Sequence, residues 1–528
     1  MAVHLFGAID VGSYVYEMKI FEMSKKEGIR QIDDIRHMID IGTDTYEDGK
    51  ISRTNLAQLK TIIAESKAIM DNYGVEGYRA YGTSAFREMK NCSMVLEQIE
   101  SETGVHISLL ENAEQRFMDF KSAAYYGDQF ENLLAEPAAF IDFGGGSIQI
   151  SQFQQGNLRD SVNLKLGILR IHERLNRIGA RAAQNNSLIE EMVNAQLMVY
   201  KKLYLSKDSN IKNIILIDDY ISDAARSALN FEGMGGNVTV GRFGQAEFID
   251  AAALNGFIAR LSEMSESEIS RSLQISEGKV PMLEISAVML HCFLKLMKAE
   301  KVWIPGVSLC DGIAYDYALS NRYVVSGHDF EQDILACALH TGKRYKGFEE
   351  RQKTIEKISL QIFDSMKRIH GMKKRDRLLL QISALLHDCG KYISMNNLAD
   401  CSYNIIRSTE IIGLSAREQE IVANVVRFNH DTFRYYEERY PDCTLTRKDY
   451  NTVTKLTAIL RLANALDRSH KKKFNELRIR LRERQLIITV SAKKDITLEK
   501  GLIAYRADFF EEVFSVRPVI KQKNFDKE

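Results

Sequence analysis

The 528-residue sequence predicts an α/β protein: two related α/β lobes, then an all-α domain, then a small α+β C-terminal domain. Three observations predict it. A strand running into an Asp-Gly turn occurs twice, at Asp10-Val11-Gly12-Ser13 and at Asp142-Phe143-Gly144-Gly145-Gly146-Ser147, about 130 residues apart. From about Asp329 the apolar spacing becomes that of long helices. Near residue 473 a period of two returns. These shifts divide the chain into 1–127, 128–325, 326–472 and 473–528.

The elements follow in order. Leu5–Asp10 is apolar and ends at Gly12, so it reads as a strand entering a tight turn, with Tyr14–Met23 as the returning arm. Ser52–Tyr73 has helical spacing, opened by a Ser and followed by Gly74. Gly77–Gly82 reads as a short strand, Ser84–Asn91 as a helix start and Ala113–Tyr126 as a helix. Ala138–Asp142 is a buried strand, and Ile148–Phe153 is its partner before the turn Gln155-Gly156-Asn157. Asn213–Ile217 is a further strand. Arg351–Ile369, Asp376–Leu386, Cys401–Ile412, Ala416–Asn429 and Tyr450–Leu466 carry helical spacing, and Glu476–Val490 is β-rich.

Composition narrows the class. Lys+Arg and Asp+Glu are both 71, and 45 % of residues are hydrophobic, which excludes disorder and a globally basic nucleic-acid binder. Seven cysteines contain no CxxC pair, so thiols reduced in a cytosol are expected rather than a disulfide framework. The start MAVHLFGAIDVGS has no signal-peptide pattern, and no run of ~18 uninterrupted apolar residues occurs. A cytoplasmic protein without a membrane span is the expectation.

The paired turns carry chemistry. Glycines let backbone N–H groups approach a phosphate and form an anion-binding concavity, and Ser adds a hydroxyl. An Asp at the strand end can hold Mg²⁺ or a water near a phosphoryl group. One such turn alone reads as a hairpin loop; two of one kind on related lobes read as a phosphate cleft.

Asp10-Val11-Gly12-Ser13, Thr83-Ser84-Ala85-Phe86-Arg87 with Asn91, Glu114 with Arg116, Asp142–Ser147, and Leu166-Gly167 with Arg170 and Glu173 come in one order. In that order the chain resembles the exopolyphosphatase/guanosine pentaphosphate phosphohydrolase family, over roughly residues 4–470. The resemblance implies two actin-like lobes of ribonuclease-H type. It places phosphate between Gly12–Ser13 and Gly144, Gly145, Gly146 and Ser147, with Arg87 neutralising its charge. It makes Glu114 and Asp142 catalytic: Glu114 as the base that deprotonates water, Asp142 as the first metal carboxylate with Asp10 second. Arg170 is left open between lining the cleft and a structural salt bridge. The sequence departs from the family at Tyr14-Val15, at Asp218-Asp219, where two carboxylates should repel phosphate, and at Cys310, where the family has Arg.

Further on, Ser383–Lys391, with His387-Asp388, and Leu460–Ser469, with Asp467, look like the family's helical HD-type domain. Such domains hold metal through a first His, a His-Asp pair and a distal Asp. Here Arg351 falls near the first His, Asp400-Cys401 occupies the downstream His region, and His430 is one position off. Metal hydrolysis is therefore not expected there. A structural bundle with His387 and Asp388 bonded in its core is, with metal binding without catalysis as the alternative. Basic residues gather in this half: ten Lys/Arg against five Asp/Glu over 351–400. In Leu477–Arg484 the alternation predicts a strand with Arg478, Arg480, Arg482 and Arg484 on one face, suited to guiding a linear polyanion or merely solvated. No stacking aromatics interleave, so nucleic acid is not expected.

The resemblance thus implies an exopolyphosphatase of the cytoplasm, with Mg²⁺ or another divalent cation, acting as a homodimer on inorganic polyphosphate. Guanosine pentaphosphate is the alternative substrate, and a polyphosphate- or nucleotide-sensing binder with weakened catalysis is the alternative role.

Overall fold

In a computed structural model the chain is described over residues 3–179, 185–205, 210–218, 220–222, 224–225, 247–471, 473–474, 477–491 and 495–523. It forms two compact units, Met1–Asp329 and Phe330–Glu528.

The first unit contains the same sheet twice. β1 (His4–Val11), β2 (Val15–Ser24), β3 (Gly28–Met38), β4 (Gly77–Gly82) and β5 (Ser108–Leu109) pair in the order β3-β2-β1-β4-β5. β6 (Ala138–Phe143), β7 (Ile148–Gln154), β8 (Asn157–Leu164), β9 (Asn213–Asp218), β10 (Glu247–Asp250) and β11 (Lys301–Ile304) pair as β8-β7-β6-β9-β11-β10. In each, an antiparallel meander of three strands is followed by two parallel ones; β10 adds an antiparallel edge to the second. The apolar run of β6 buries both faces: every one of its residues is buried.

Local chemistry sets the boundaries. The helix Arg53–Tyr73 opens where the Ser52 side chain accepts the Asn55 amide and stops at Gly74, φ 73°. Gln155 and Gly156 both have positive φ, 54° and 75°, which joins β7 to β8 in a two-residue turn. The helix expected from Ser84 ends at Glu88, because Met89 turns extended, and a new helix runs Cys92–Thr103. Several elements are absent from the sequence reading, among them β3, the helix Ile41–Asp48, β8 and the helices Ile168–Ile178, Val280–Met297 and Leu309–Ser320. The helix Ile41–Asp48 is eight residues of IGTDTYED with poor propensity, held by an Asp40 cap and by Gly49 at φ 71°.

Among the described residues one helix, Glu277–Met297, is long and apolar enough to cross a membrane (mean hydropathy 1.5), but 72 % of its most apolar stretch is buried, so it serves as the second lobe's core helix. The helix Leu309–Ser320 returns to the first lobe. Its Asp311 takes Lys19 at 2.7 Å, and its Asp316 takes Arg79 at 2.7 Å and Lys121 at 2.5 Å.

The second unit is a bundle that includes Phe330–Arg344, Glu349–Ser365, Lys374–Leu386, Leu398–Ser408, Ala416–His430 and Arg447–Leu466. β12 (Leu477–Arg482), β13 (Gln485–Ser491), the helix Thr497–Phe514 and β14 (Arg517–Lys523) complete it, with the sheet ordered β12-β13-β14.

Candidate active site

The two Asp-Gly turns close in the same way. The Gly12 amide donates to the Val15 carbonyl at 2.9 Å, and the Gly144 amide donates to the Ser147 carbonyl at 3.0 Å. A helix start supports each turn: the Gly42 amide donates to the Ser13 carbonyl at 2.7 Å, and the Leu169 amide to the Gly145 carbonyl at 2.9 Å. Gly167, before the second of these helices, has no room for a side chain, since a Cβ would stand 2.1 Å from the Gly145 oxygen.

Both turns line one cavity of about 90 Å³. Gly12, Ser13, Gly144, Gly145, Gly146 and Ser147 all face it, as do Asp10 and Asp142. Thus the phosphate and metal positions expected from the two turns converge. Tyr14, Val15 and Tyr220 also face it, so at two of the departures side chains crowd the cavity. Asp219 and the Asp218 side chain lie outside the described residues, as do Lys472 and Glu476 of the basic tract.

Across the cavity Ser13 Oγ lies 2.8 Å from Tyr46 Oη, which donates to Ser84 Oγ at 3.0 Å. Tyr46 therefore ties the first turn to the Thr83-Ser84 segment, and burial raises its phenol above the ordinary value. Arg170 settles as support. Its Nε donates to the Gly146 carbonyl at 2.6 Å, its Nη2 pairs with Glu88 at 2.5 Å, and its guanidinium stacks 4.0 Å over the Tyr46 ring.

Four acids line the cavity: Asp10, Glu17, Asp119 and Asp142. Glu17 stands opposite Asp10 in the β1–β2 register and is neutralised by Arg36 at 2.5 Å and Lys19 at 3.6 Å. In the second lobe the equivalent position, opposite Asp142, is Gln149. Its amide is 2 % exposed, and its Oε1 has no hydrogen-bond partner among the described residues. These are oxygen donors, the chemistry a hard divalent cation takes.

Two expected site residues stand back from the cavity. Glu114 is half-buried at the start of the helix Asn112–Ala124, where its carboxylate accepts the Glu111 amide at 3.4 Å; it lies near Tyr81, which is the β4 partner of Asp10. Its helix puts Gln115 and Asp119, rather than Glu114, on the wall. Arg87 donates to the Leu110 carbonyl at 2.5 Å and to Gln115 Oε1 at 3.2 Å, so it braces the wall residue instead of lining the cavity. Cys310 is fully buried; its Sγ lies 3.5 Å from the Ala8 carbonyl and 3.6 Å from the Glu17 carbonyl, and burial together with Glu17 pushes its thiol well above the usual value. It fills space beneath the sheet, outside the cavity wall.

In the second unit Arg351 is buried. Its guanidinium reaches Asp388 at 3.2 Å and Asn464 Oδ1 at 2.8 Å. His387 Nδ1 lies 2.8 Å from the Ala384 carbonyl, and burial lowers its imidazole to about 3; His430, 2.5 Å from the His387 carbonyl, is lowered to about 4 by burial foremost. Among the described residues no three His, Cys, Asp or Glu converge as metal ligands. β12 ends at Arg482, so Arg478, Arg480 and Arg482 share the exposed face while Arg484 sits in the turn, a correction to the four-Arg ladder. The register adds Arg517 and Lys521 of β14 to that face, through Gln485 and Thr489 of β13. The period-two reading missed them because they come from a parallel strand beyond a helix.

The family model for the Ppx/GppA phosphatase family matches residues 20–321, and the model for Ppx/GppA phosphatase, domain III, matches residues 337–508. Exopolyphosphatase 1 of Mycobacterium tuberculosis is 21 % identical over 342 residues, 65 % of this chain and 94 % of that protein. An exopolyphosphatase from Cytophaga hutchinsonii shares the fold with a TM-score of 0.52 at 15 % identity, over 61 % of this chain and 100 % of that one. An exopolyphosphatase-like protein aligns with a TM-score of 0.51 at 17 % identity, over 60 % of this chain and 98 % of its own. With both halves matched by family models and with two lobes of the family's actin-like fold, the chain belongs to the Ppx/GppA phosphatase family.

Proposed function

We propose that the chain is an exopolyphosphatase that releases the terminal phosphate of inorganic polyphosphate in the cavity between the two glycine turns. The observation behind this reading is that Gly12–Ser13 and Gly144–Ser147, from two lobes, face one cavity with Asp10 and Asp142. Its volume of about 90 Å³ suits the end of a phosphate chain. Sites for whole small ligands run to about 300–1,000 Å³, which argues against a nucleoside such as that of guanosine pentaphosphate.

The chain's own residues supply binding, positioning and proton transfer. Backbone N–H groups and the Ser13 and Ser147 hydroxyls hold terminal phosphate oxygens. Asp142 and Asp10 would hold Mg²⁺, whose charge offsets the acids of the wall and the substrate oxygens. Without that charge the carboxylates would repel the anion. Glu114, set back from the wall, would take a proton from the attacking water through one bridging water; Asp119, farther along the same helix and on the wall, is the second candidate for that step. The water oxygen bonds to the terminal phosphorus, the bridging P–O bond breaks, and the shortened chain leaves as an anion.

Phosphate release from long-chain polyphosphate with Mg²⁺ tests this. Wild type should release phosphate, and Glu114→Gln should lose roughly 100-fold or more, the scale of a general base. No release by wild type with Mg²⁺, Mn²⁺ or Co²⁺, or full release by both Glu114→Gln and Asp142→Asn, overturns it.

A further inference from the structure

The two sheets bring equivalent strands to the cleft, but the segments after those strands differ. β4 lies parallel to β1 in the first lobe as β9 lies parallel to β6 in the second. Past β4 come Thr83 and Ser84, two small hydroxyls on the cavity wall; past β9 comes Tyr220, on the same wall. In open α/β sheets ligands bind beyond the carboxyl ends of the strands. Whatever is joined to a terminal phosphate held by the glycine turns must pass one of these two ends.

Rings from both lobes meet at the β9 end. Tyr14 belongs to the first turn, and its carbonyl accepts the Ile39 amide at 3.0 Å, which ties its backbone to the end of β3. Its side chain nevertheless packs against the apolar core of the second lobe, the core that includes Tyr220. The two ring centroids stand 6.3 Å apart with their planes tilted by 39°, within the range of a favourable aromatic pair. Tyr220 is buried, so packing holds its ring in place, while Tyr14 is half-buried. A base inserted between two rings needs carbon contacts of about 3.5 Å on each of its faces, hence roughly 7 Å between parallel rings. The tilted pair offers less, so it bars a base rather than sandwiching one. Tyr14 stands at a departure from the family, so the pair is a feature of this chain that the resemblance does not imply.

We propose that Tyr14 and Tyr220 are specificity-determining residues: together they close the β9 end of the cleft to a nucleoside carried on a phosphate chain. The Thr83–Ser84 end, lined by hydroxyls, is left to an unbranched inorganic chain. This rests on the reading of the cleft as the phosphate-releasing site, and it names what that site rejects and which side chains reject it.

Two measurements on the full chain test it. The first compares kcat/KM for phosphate release from ATP and from tripolyphosphate, with Mg²⁺, in wild type, Tyr14→Ser, Tyr220→Ala and the double variant. Each single change should raise the ATP-to-tripolyphosphate ratio roughly tenfold or more. The double variant should gain little beyond either single, because one missing ring already opens the pair. Tyr14→Phe keeps the ring and should keep the wild-type ratio. Tyr220→Ala removes a core side chain; where it fails to fold, Tyr14→Ser carries the test alone. The second measurement follows calorimetric binding of a non-hydrolysable ATP analogue with Mg²⁺, whose Kd should fall roughly tenfold in Tyr14→Ser. An unchanged ratio in Tyr14→Ser overturns the proposal. So does an analogue Kd that is unchanged there, or one that rises, which would make the rings a stacking platform for the base. The binding measurement uses no turnover, so a wild type that releases no phosphate removes the reading of the cleft while the analogue still decides the role of the rings.

Discussion

Gly146 is where the second turn meets the first lobe. A Cβ there would stand 2.0 Å from Tyr46 Oη and 2.2 Å from Ser84 Oγ, so any side chain breaks the Ser13–Tyr46–Ser84 chain. Gly146→Ala should cost about 1–3 kcal/mol of stability, the usual range for overpacking, and reduce phosphate release at least roughly tenfold. Adding Tyr46→Phe removes one of the two clashing oxygens and should restore part of both, read by thermal melts and kinetics of the double-mutant cycle. Glu173, in the neighbouring helix, predicts a pH effect. It is buried, one of its oxygens has no hydrogen-bond partner among the described residues, and burial, then Glu47, raises its carboxyl from 4.5 to about 7. The folded state thus holds a proton that the unfolded state has released. Stability from this group is full below about pH 4.5 and is lost as pH rises through about 7, by ~1–3 kcal/mol. Glu173→Gln should flatten the melting temperature over that interval; an unchanged slope refutes the assignment.

β12 presents an exposed arginine face on which the holding of a long polyanion can be tested. Arg478, Arg480 and Arg482 alternate with partly or fully buried Leu477, Ile479 and Leu481, so the arginines can be exchanged without touching the apolar side. The triple change to Ser should lower the slope of log affinity against log salt for long-chain polyphosphate by roughly 2, since each lost cation releases one fewer counterion. Binding of tripolyphosphate should stay within about threefold; an unchanged slope would make the face merely solvated. The same strand shows what a sequence pattern can and cannot carry. Period two located the strand and its basic face, but Glu483, at φ 50°, turns the chain and takes Arg484 off it. Likewise both Asp-Gly turns were legible because glycine and a strand-ending Asp mark them locally. Tyr46 was not: its helix is short and polar, and only the caps Asp40 and Gly49 announce it. Gln115 and Asp119 reach the wall through helix rotation relative to Glu114, which depends on how the helix packs rather than on its composition.

The zero net charge of the chain is a cancellation. The first hundred residues carry twelve Lys/Arg against sixteen Asp/Glu, whereas 351–400 carries ten against five. The chemistry divides in the same way: every residue lining the cleft falls between Asp10 and Leu309, inside Met1–Asp329, while the Arg face belongs to Phe330–Glu528. Each unit has its own buried core, and the join near Val325, which is 93 % exposed, is where a cut costs least packing. The Mycobacterium tuberculosis relative aligns over 94 % of its length with 65 % of this chain, so a relative of about the two-lobe length exists as a protein in its own right. Residues 1–329 expressed alone should therefore fold and release phosphate from tripolyphosphate within about threefold of the full chain, because the reacting end touches only that unit. For long-chain polyphosphate its KM should rise roughly tenfold or more with kcat little changed, because distant binding charge lowers KM without entering the chemical step. If both substrates lose kcat together, the second unit shapes the cleft itself; if neither changes, the basic half has no part in holding the chain.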